Sequence, residues 1–193
     1  MSIFVTSDHH FFHKNIIKYS NRPFDFSTDG VVQMCKTLME NYNGMVNHDD
    51  IVIFLGDVAF LKKDNQDLFR EFFQCFKGKK FLIKGNHDKL SNEYYKSCGF
   101  IDVFDYLVVG RYFLTHYPLV NNTRIEQEQR EIFRKSKCDT IIHGHIHTLP
   151  SPHEDNISRM NVCVDYAPNM YYPVKLHGNC TRTFLKHFDR YFQ

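Results

Sequence analysis

At 193 residues, with 42% hydrophobic content and a formal net charge of +2, the chain has the material for a single domain with a continuous core, expected to span residues 1–193. Lys and Arg are spread along it, so nothing marks a partner such as long duplex DNA or anionic membrane; nucleic acid stays open as a partner but is not signalled. No apolar run is long enough to cross a bilayer, and the start has neither a basic n-region nor a long h-region, so a soluble, cytoplasmic (intracellular) protein without a membrane partner is expected.

Strand-like and helix-like runs alternate, the pattern of an α/β layer architecture. A buried strand is expected at Ile3-Phe4-Val5, followed by Asp8, His9 and His10 and by a helix start around Ile16 and Ile17. Over residues 31–46 the apolar side chains of Val31, Met34, Cys35, Leu38 and Tyr42 fall on one helical face, with Ser27 or Thr28 as the cap. The next strand, residues 51–55, runs into Gly56-Asp57. Leu68, Phe69, Phe72, Phe73 and Phe76 then repeat at helical spacing, read as packing, and Gly78 closes that helix. Lys79 and Lys80 are expected in a solvated turn at the start of the strand through Phe81-Leu82-Ile83, which leads to Gly85-Asn86-His87-Asp88.

Further along, a strand at residues 112–114 precedes His116. Residues 121–137 read as a helix with Ile125, Gln129, Ile132 and Phe133 on one face. A strand at Ile141-Ile142 leads to Gly144-His145-Ile146-His147, and residues 149–156 have loop chemistry. Strands are then expected at 160–164, 173–176 and 183–188. The six cysteines form no CxxC pair and read as reduced thiols of the core.

Asp8, His10, Asp57, Asn86, His116, His145 and His147 thus each follow an apolar strand. Strand ends are where open sheets build their sites, so one sheet edge would gather side chains able to bind metal through oxygen or imidazole nitrogen. Gly56, Gly85 and Gly144 each precede one of these residues and would let the backbone turn sharply there. Two cations about 3.5–4 Å apart need a bridging carboxylate, for which Asp57 is the candidate. Two dications bring roughly +4, against which Asp8 and Asp57 return two negative charges, leaving a surplus that would attract phosphate. Mixed nitrogen and oxygen donors favour manganese, with iron, nickel or zinc as alternatives.

In order, the motifs Asp8-His9-His10, Gly56-Asp57, Gly85-Asn86-His87-Asp88, His116 and Gly144-His145-Ile146-His147 resemble the calcineurin-like metallophosphoesterase family, whose pattern is DxH, GD, GNH(D/E), H and GHxH. Residues 11–15 and 21–24 look like its compact bacterial and phage branch without a cap domain. The resemblance implies a four-layer α/β/β/α sandwich of two mixed sheets. It also implies two divalent metal ions, one held by Asp8, His10, Asp57 and His147, the other by Asp57, Asn86, His116 and His145. Water activated by the metals would attack a phosphodiester or phosphomonoester of a small molecule or nucleotide. His87 would act as general acid, with Asp88 holding its imidazole. Alternatives are a metal-dependent nuclease and a catalytically silent binding module of the same fold. Arg22 could fork onto phosphate, although a structural arginine is the commoner outcome. The 19 Phe and 11 Tyr make an apolar surface patch and a homodimer plausible. The walls around the metals, after Tyr117 and after His147, leave the substrate open.

Overall fold

In the computed structural model, which describes residues 1–153 and 157–192, two mixed sheets lie face to face. The first holds β1 (Ile3–Thr6), β2 (Ile51–Phe54), β3 (Lys79–Ile83), β4 (Phe100–Phe104) and β9 (Val174–Lys175), in the order β4-β3-β2-β1-β9. β1 to β4 are parallel and β9 runs antiparallel to β1. The second holds β5 (Leu107–Val109), β6 (Tyr112–Leu114), β7 (Thr140–His143) and β8 (Ser158–Asn161), with β6, β7 and β8 parallel and β5 antiparallel. β1 and β2 are buried along their whole length, as parallel strands covered on both faces must be.

Three apolar layers separate the sheets and helices. Phe4, Val52, Phe54 and Leu82 point to one side, against Met34, Leu38 and Tyr42 of α2 (Thr28–Met45) and Phe69 and Phe73 of α3 (Gln66–Gln74). Their chain neighbours Ile3, Val5, Ile51, Ile53, Phe81 and Ile83 point the other way and meet Leu107, Leu114 and Ile142 of the second sheet, the alternation of a pleated strand. The far face of that sheet packs Phe113 and Ile141 on Phe133 of α5 (Arg124–Lys135). Four layers result, helix, sheet, sheet, helix, as expected. Short helices α1 (Ile16–Tyr19) and α4 (Asn92–Ser97) complete the first side. No helix among the described residues is long and apolar enough to cross a membrane.

Several expectations need correction. Residues 183–188 belong to a helix, α6 (Asn179–Phe188). Phe184 and Phe188 sit four apart on one helical face and enter the inter-sheet core, where Phe188 lies 4.4 Å from Phe81 between ring centroids; a strand would have aligned them with Lys186. The strand expected at 160–164 is β8, ending at Asn161, after which only a bridge from Ser7 to Cys163 continues the pairing. In α5 the inward face is Glu126, Gln129 and Phe133, and Ile125 is 40% exposed. Burying Gln129 is feasible because Thr115 and the Asp105 carbonyl bond its amide. Lys80 is buried, not solvated, with its ammonium on the Phe76 and Gly78 carbonyls. Cys35, Cys98 and Cys163 are core thiols but Cys75 is exposed. The phenylalanines are mostly interior, Phe26 being the one among the exposed large apolar residues described. Residues 154–156, the end of the loop expected after His147, lie outside the described residues.

Phe73 stacks with Phe69 and Phe76 and meets Phe54 and Phe100 with no exposed surface. Phe73→Ala should therefore cost about 3–5 kcal/mol, whereas Leu68→Ala on the same helix, at a side chain 55% exposed, should stay within about 0.5 kcal/mol. Urea unfolding midpoints of the two variants check this.

Candidate metal centre

Because β1, β2 and β3 are parallel neighbours, their C-terminal ends share an edge, and they deliver Asp8 and His10, Asp57, and Asn86 respectively. From the second sheet, β6 delivers His116 and β7 delivers His145 and His147. Loop hydrogen bonds fix the strand ends to one another: the Asp8 amide donates to Gly56, the His10 amide to Asp57 and the Gly144 amide to His116. Asp8, His10, Asp57, His145 and His147 all have φ between 49° and 74°. That left-handed region is uncommon for residues with a Cβ, and such strain clusters at functional sites. The glycines serve two ends: Gly56 supplies a turn at φ 91°, while Gly85 and Gly144 have no positive φ and instead supply space, since a Cβ would strike the carboxylates of Asp57 and Asp8.

The seven side chains converge. His10 Nε2 lies 3.6 Å from Asp57 Oδ2 and 3.9 Å from Asp8 Oδ1, and His147 Nε2 lies 3.7 Å from Asp8 Oδ1. On the other side His116 Nε2 lies 3.5 Å from Asp57 Oδ2, 3.1 Å from Asn86 Oδ1 and 3.1 Å from His145 Nδ1. Donors about 2.0–2.2 Å from a cation sit roughly 3–3.6 Å from one another, so the gaps around Asp57 and His116 suit the edges of a coordination polyhedron, while those from Asp8 Oδ1 to His10 and His147, at 3.9 and 3.7 Å, are slightly wider. Asp57 Oδ2 faces both groups, and its other oxygen accepts from the His87 amide at 2.8 Å. Asp8, His10 and His147 form one set that could hold an ion, and Asp8, Asp57 and His116 another.

Unpartnered atoms test the fit. Asp8 Oδ2 accepts from the Ser7 hydroxyl, the Cys163 thiol and the His145 amide, yet Asp8 Oδ1 is buried with no partner, as are both ring nitrogens of His10. Buried polar atoms without partners cost free energy, and a bound cation would satisfy Asp8 Oδ1 and one His10 nitrogen. The Leu55 carbonyl, 2.8 Å from His116 Nδ1, can only accept, so the proton sits on Nδ1 and Nε2 is left for a ligand role.

Burial alone would raise the pKa of Asp8 and of Asp57, but His116 faces both and holds them below the usual carboxylate range, helped by His147 at Asp8 and His10 at both. In return the carboxylates, led by Asp57, raise His116 to about 9 against its own burial. Burial pushes His10 down to about 3. Without cations, the pair of carboxylates therefore draws its counter-charge from His116.

Asp88 does not hold His87. Its carboxylate is buried and accepts from the amides of Asp57, Gly85 and Val58 at 2.7, 2.9 and 3.2 Å, bracing the loops that carry two ligands, and burial raises its pKa to about 6, with Asp57 adding to the shift. The His87 ring, with its side chain 37% exposed, stands at the rim, 4.0 Å from Asp57 Oδ2. Asn86 is exposed beside it. Arg22 is the structural arginine: it is buried, forks onto Asp165 at 2.7 and 2.9 Å, and donates to the Asp8 and His9 carbonyls. Ser7, Ser20, Cys163 and Asp165 had no motif to mark them, and each touches a ligand side chain.

The sequence pattern of the calcineurin-like phosphoesterase family matches residues 1–149. The chain belongs to the calcineurin-like phosphoesterase family. The protein of unknown function AQ665 from Aquifex aeolicus, of known structure, superposes with a TM-score of 0.71 at 26% identity over 90% of this chain and 95% of that one. Uncharacterized protein MJ1445 of Methanocaldococcus jannaschii is 45% identical over 92 residues, 48% of this chain, and the chain spans about half of that relative's length, 49%. Gene 66 protein of Mycobacterium phage L5 is 26% identical over 162 residues, 74% of this chain and 76% of the phage protein. In this member of the calcineurin-like phosphoesterases, the stretch matching the family ends before Cys163 and Asp165.

His116 must lose a proton to bind a cation. With its pKa near 9 and that of His147, against its own burial, also raised by Asp165 and Asp8, metal-free protein at about pH 7.5 should release at least about one proton on cation uptake, with affinity rising as pH climbs toward about 9. Calorimetry in buffers of different ionisation enthalpy measures this directly. Manganese at 100 times its Kd should also stabilise the fold by about 2.7 kcal/mol, seen as a higher unfolding temperature.

Proposed function

We propose that the protein hydrolyses phosphodiester or phosphomonoester bonds of a small molecule or nucleotide with two divalent cations. The observation that carries the reading is Asp57 Oδ2, which stands between the His10 group and the His116 group at 3.6 and 3.5 Å. Asp8, His10, Asp57 and His147 would hold one cation, and Asp57, Asn86, His116 and His145 the other. When bound, the cations supply Lewis-acid polarisation of the phosphoryl group and activation of water as the nucleophile. The mixed nitrogen and oxygen donors favour manganese, with iron, nickel or zinc as alternatives.

His87 is the proposed general acid. Its ring meets His10 edge-on at 5.2 Å and borders a cavity of about 240 Å³ that it shares with Phe60, Leu61, Lys89 and Leu90. From that rim it can reach a leaving oxygen and donate the proton an alkoxide needs. The ring is steered by packing against His10 and by the His87 amide bond to Asp57, and Asp88 contributes through the backbone it braces. A neighbouring cavity of about 480 Å³ is lined by His13, Lys14, Phe60 and Lys62, and the His13 ring lies flat on Phe60 at 4.5 Å. Cationic and aromatic side chains beside the centre suit a nucleotide better than a bare phosphate.

The deciding assay is manganese-dependent hydrolysis of a bis-aryl phosphodiester, the matching monoester and an alkyl phosphoester. Asp57→Asn should abolish turnover on all three. His87→Ala should bind two cations normally, lose about 10²–10⁴-fold on the alkyl ester and lose far less on the aryl ester, whose leaving group needs little protonation. Wild-type rates of His87→Ala on the alkyl ester would remove His87 from the mechanism.

A further inference from the structure

His147 reaches the centre from a turn after β7 with φ 49° and a side chain 24% exposed, so the turn alone does not fix its ring. Its Nδ1 lies 2.7 Å from Asp165 Oδ2 and 3.1 Å from the Ser20 hydroxyl. The hydroxyl can donate or accept and leaves the tautomer undecided. The carboxylate only accepts, so it keeps the proton on Nδ1 and leaves Nε2, 3.7 Å from Asp8 Oδ1, free to ligate. Asp165 is itself immobilised: Arg22 takes both of its oxygens, and the two side chains are 1% and 0% exposed. The rest of the same guanidinium donates to the carbonyls of Asp8 and His9 and touches Met34 Sδ. One buried arginine therefore sets the loop bearing Asp8 and His10 and, through Asp165, the ring of His147.

Among the described residues, the His116 side of the centre has no such arrangement. There the imidazole is pinned by the Leu55 carbonyl, at the end of β2.

We propose that Asp165, locked by Arg22, is a positioning residue for one cation only, the one bound through Asp8, His10 and His147, and that this chain thereby completes its centre with a residue outside the stretch that matches the family. The proposal rests on the two-cation reading of the site. An anionic acceptor on Nδ1 fixes the ring and makes Nε2 a stronger donor. The amide of Asp165→Asn can instead present an N–H to Nδ1, which favours the tautomer with its proton on Nε2, the form unable to ligate. Among the described residues no hydrogen bond links the side chains of Asn86, His116 and His145 to those of Asp165, Arg22 or His147, so a cation held by that group should not register the change.

The test is a titration of metal-free protein with manganese and with cobalt, following heat, bound-metal content and the cobalt absorption bands, none of which requires turnover. Wild type should take up two equivalents. In Asp165→Asn one equivalent should bind as before and the other about 10–100-fold more weakly, with loss of one set of cobalt bands; Asp165→Glu should restore part of the affinity. Because Asp165→Asn leaves Arg22 buried without its counter-charge, the paired variant Arg22→Met with Asp165→Asn removes the charges together; it also frees the Asp8 and His9 carbonyls and should lower the metal-free unfolding midpoint while still showing the same one-sided loss in cooperatively folded protein. Equal weakening of both equivalents, or wild-type affinity at both in the paired variant, would overturn the proposal. Uptake of only one equivalent by wild type would overturn the two-cation reading and the proposal with it.

Discussion

Two carboxylates, Asp8 and Asp57, are buried side by side, and the surrounding structure is arranged to tolerate that. Each has one oxygen engaged by amide, hydroxyl or thiol donors and the other turned toward a space lined by imidazoles. Like charges in a region of low polarity raise each other's proton affinity, so the pair stays ionised only with positive charge close by. In the metal-free molecule His116 provides it. A pair of dications would do so more completely and would satisfy the unpartnered oxygen on Asp8. On the proposed reading, the surplus of positive charge left by two dications would favour an anionic ester at the site.

Topology makes this arrangement affordable in sequence terms. Three adjacent parallel strands in one sheet and two in the other end on a common edge, so the seven candidate ligand side chains can be supplied by short loops, without long excursions of the chain. The three apolar layers hold those strands rigid beneath the loops, which is where a site needs its precision. Left-handed backbone at the ligands adds local cost that the packed sheets must absorb.

What could be read from the sequence followed local chemistry. The ligand strand ends, the faces of α2 and α3 and the glycine–ligand pairs all express themselves within a few residues, and the motif order led to the four-layer fold. What could not be read depends on distance. Arg22 and Asp165 are 143 residues apart and Cys163 and Asp8 are 155 apart, and nothing near Asp165 announces that it faces a histidine. The family resemblance implies a contact of Asp88 with His87, whereas its carboxylate accepts from three backbone amides, partners that a motif does not specify. Residues 183–188 were ambiguous because two phenylalanines four apart fit a short strand or a helix until the inter-sheet core is there to receive them.

The ligands come from both sheets, and the Ser7–Cys163 bridge joins the chain just past β1 to the segment following β8 beside Asp8. A complete binding site therefore exists only after nearly the whole chain has closed on itself, too late for a cation to guide the early steps of folding. Interactions formed after the rate-limiting barrier act on the reverse rate. Cations should accordingly leave the speed of folding nearly unchanged and slow its reversal, making the loaded protein kinetically durable out of proportion to any gain in how fast it forms.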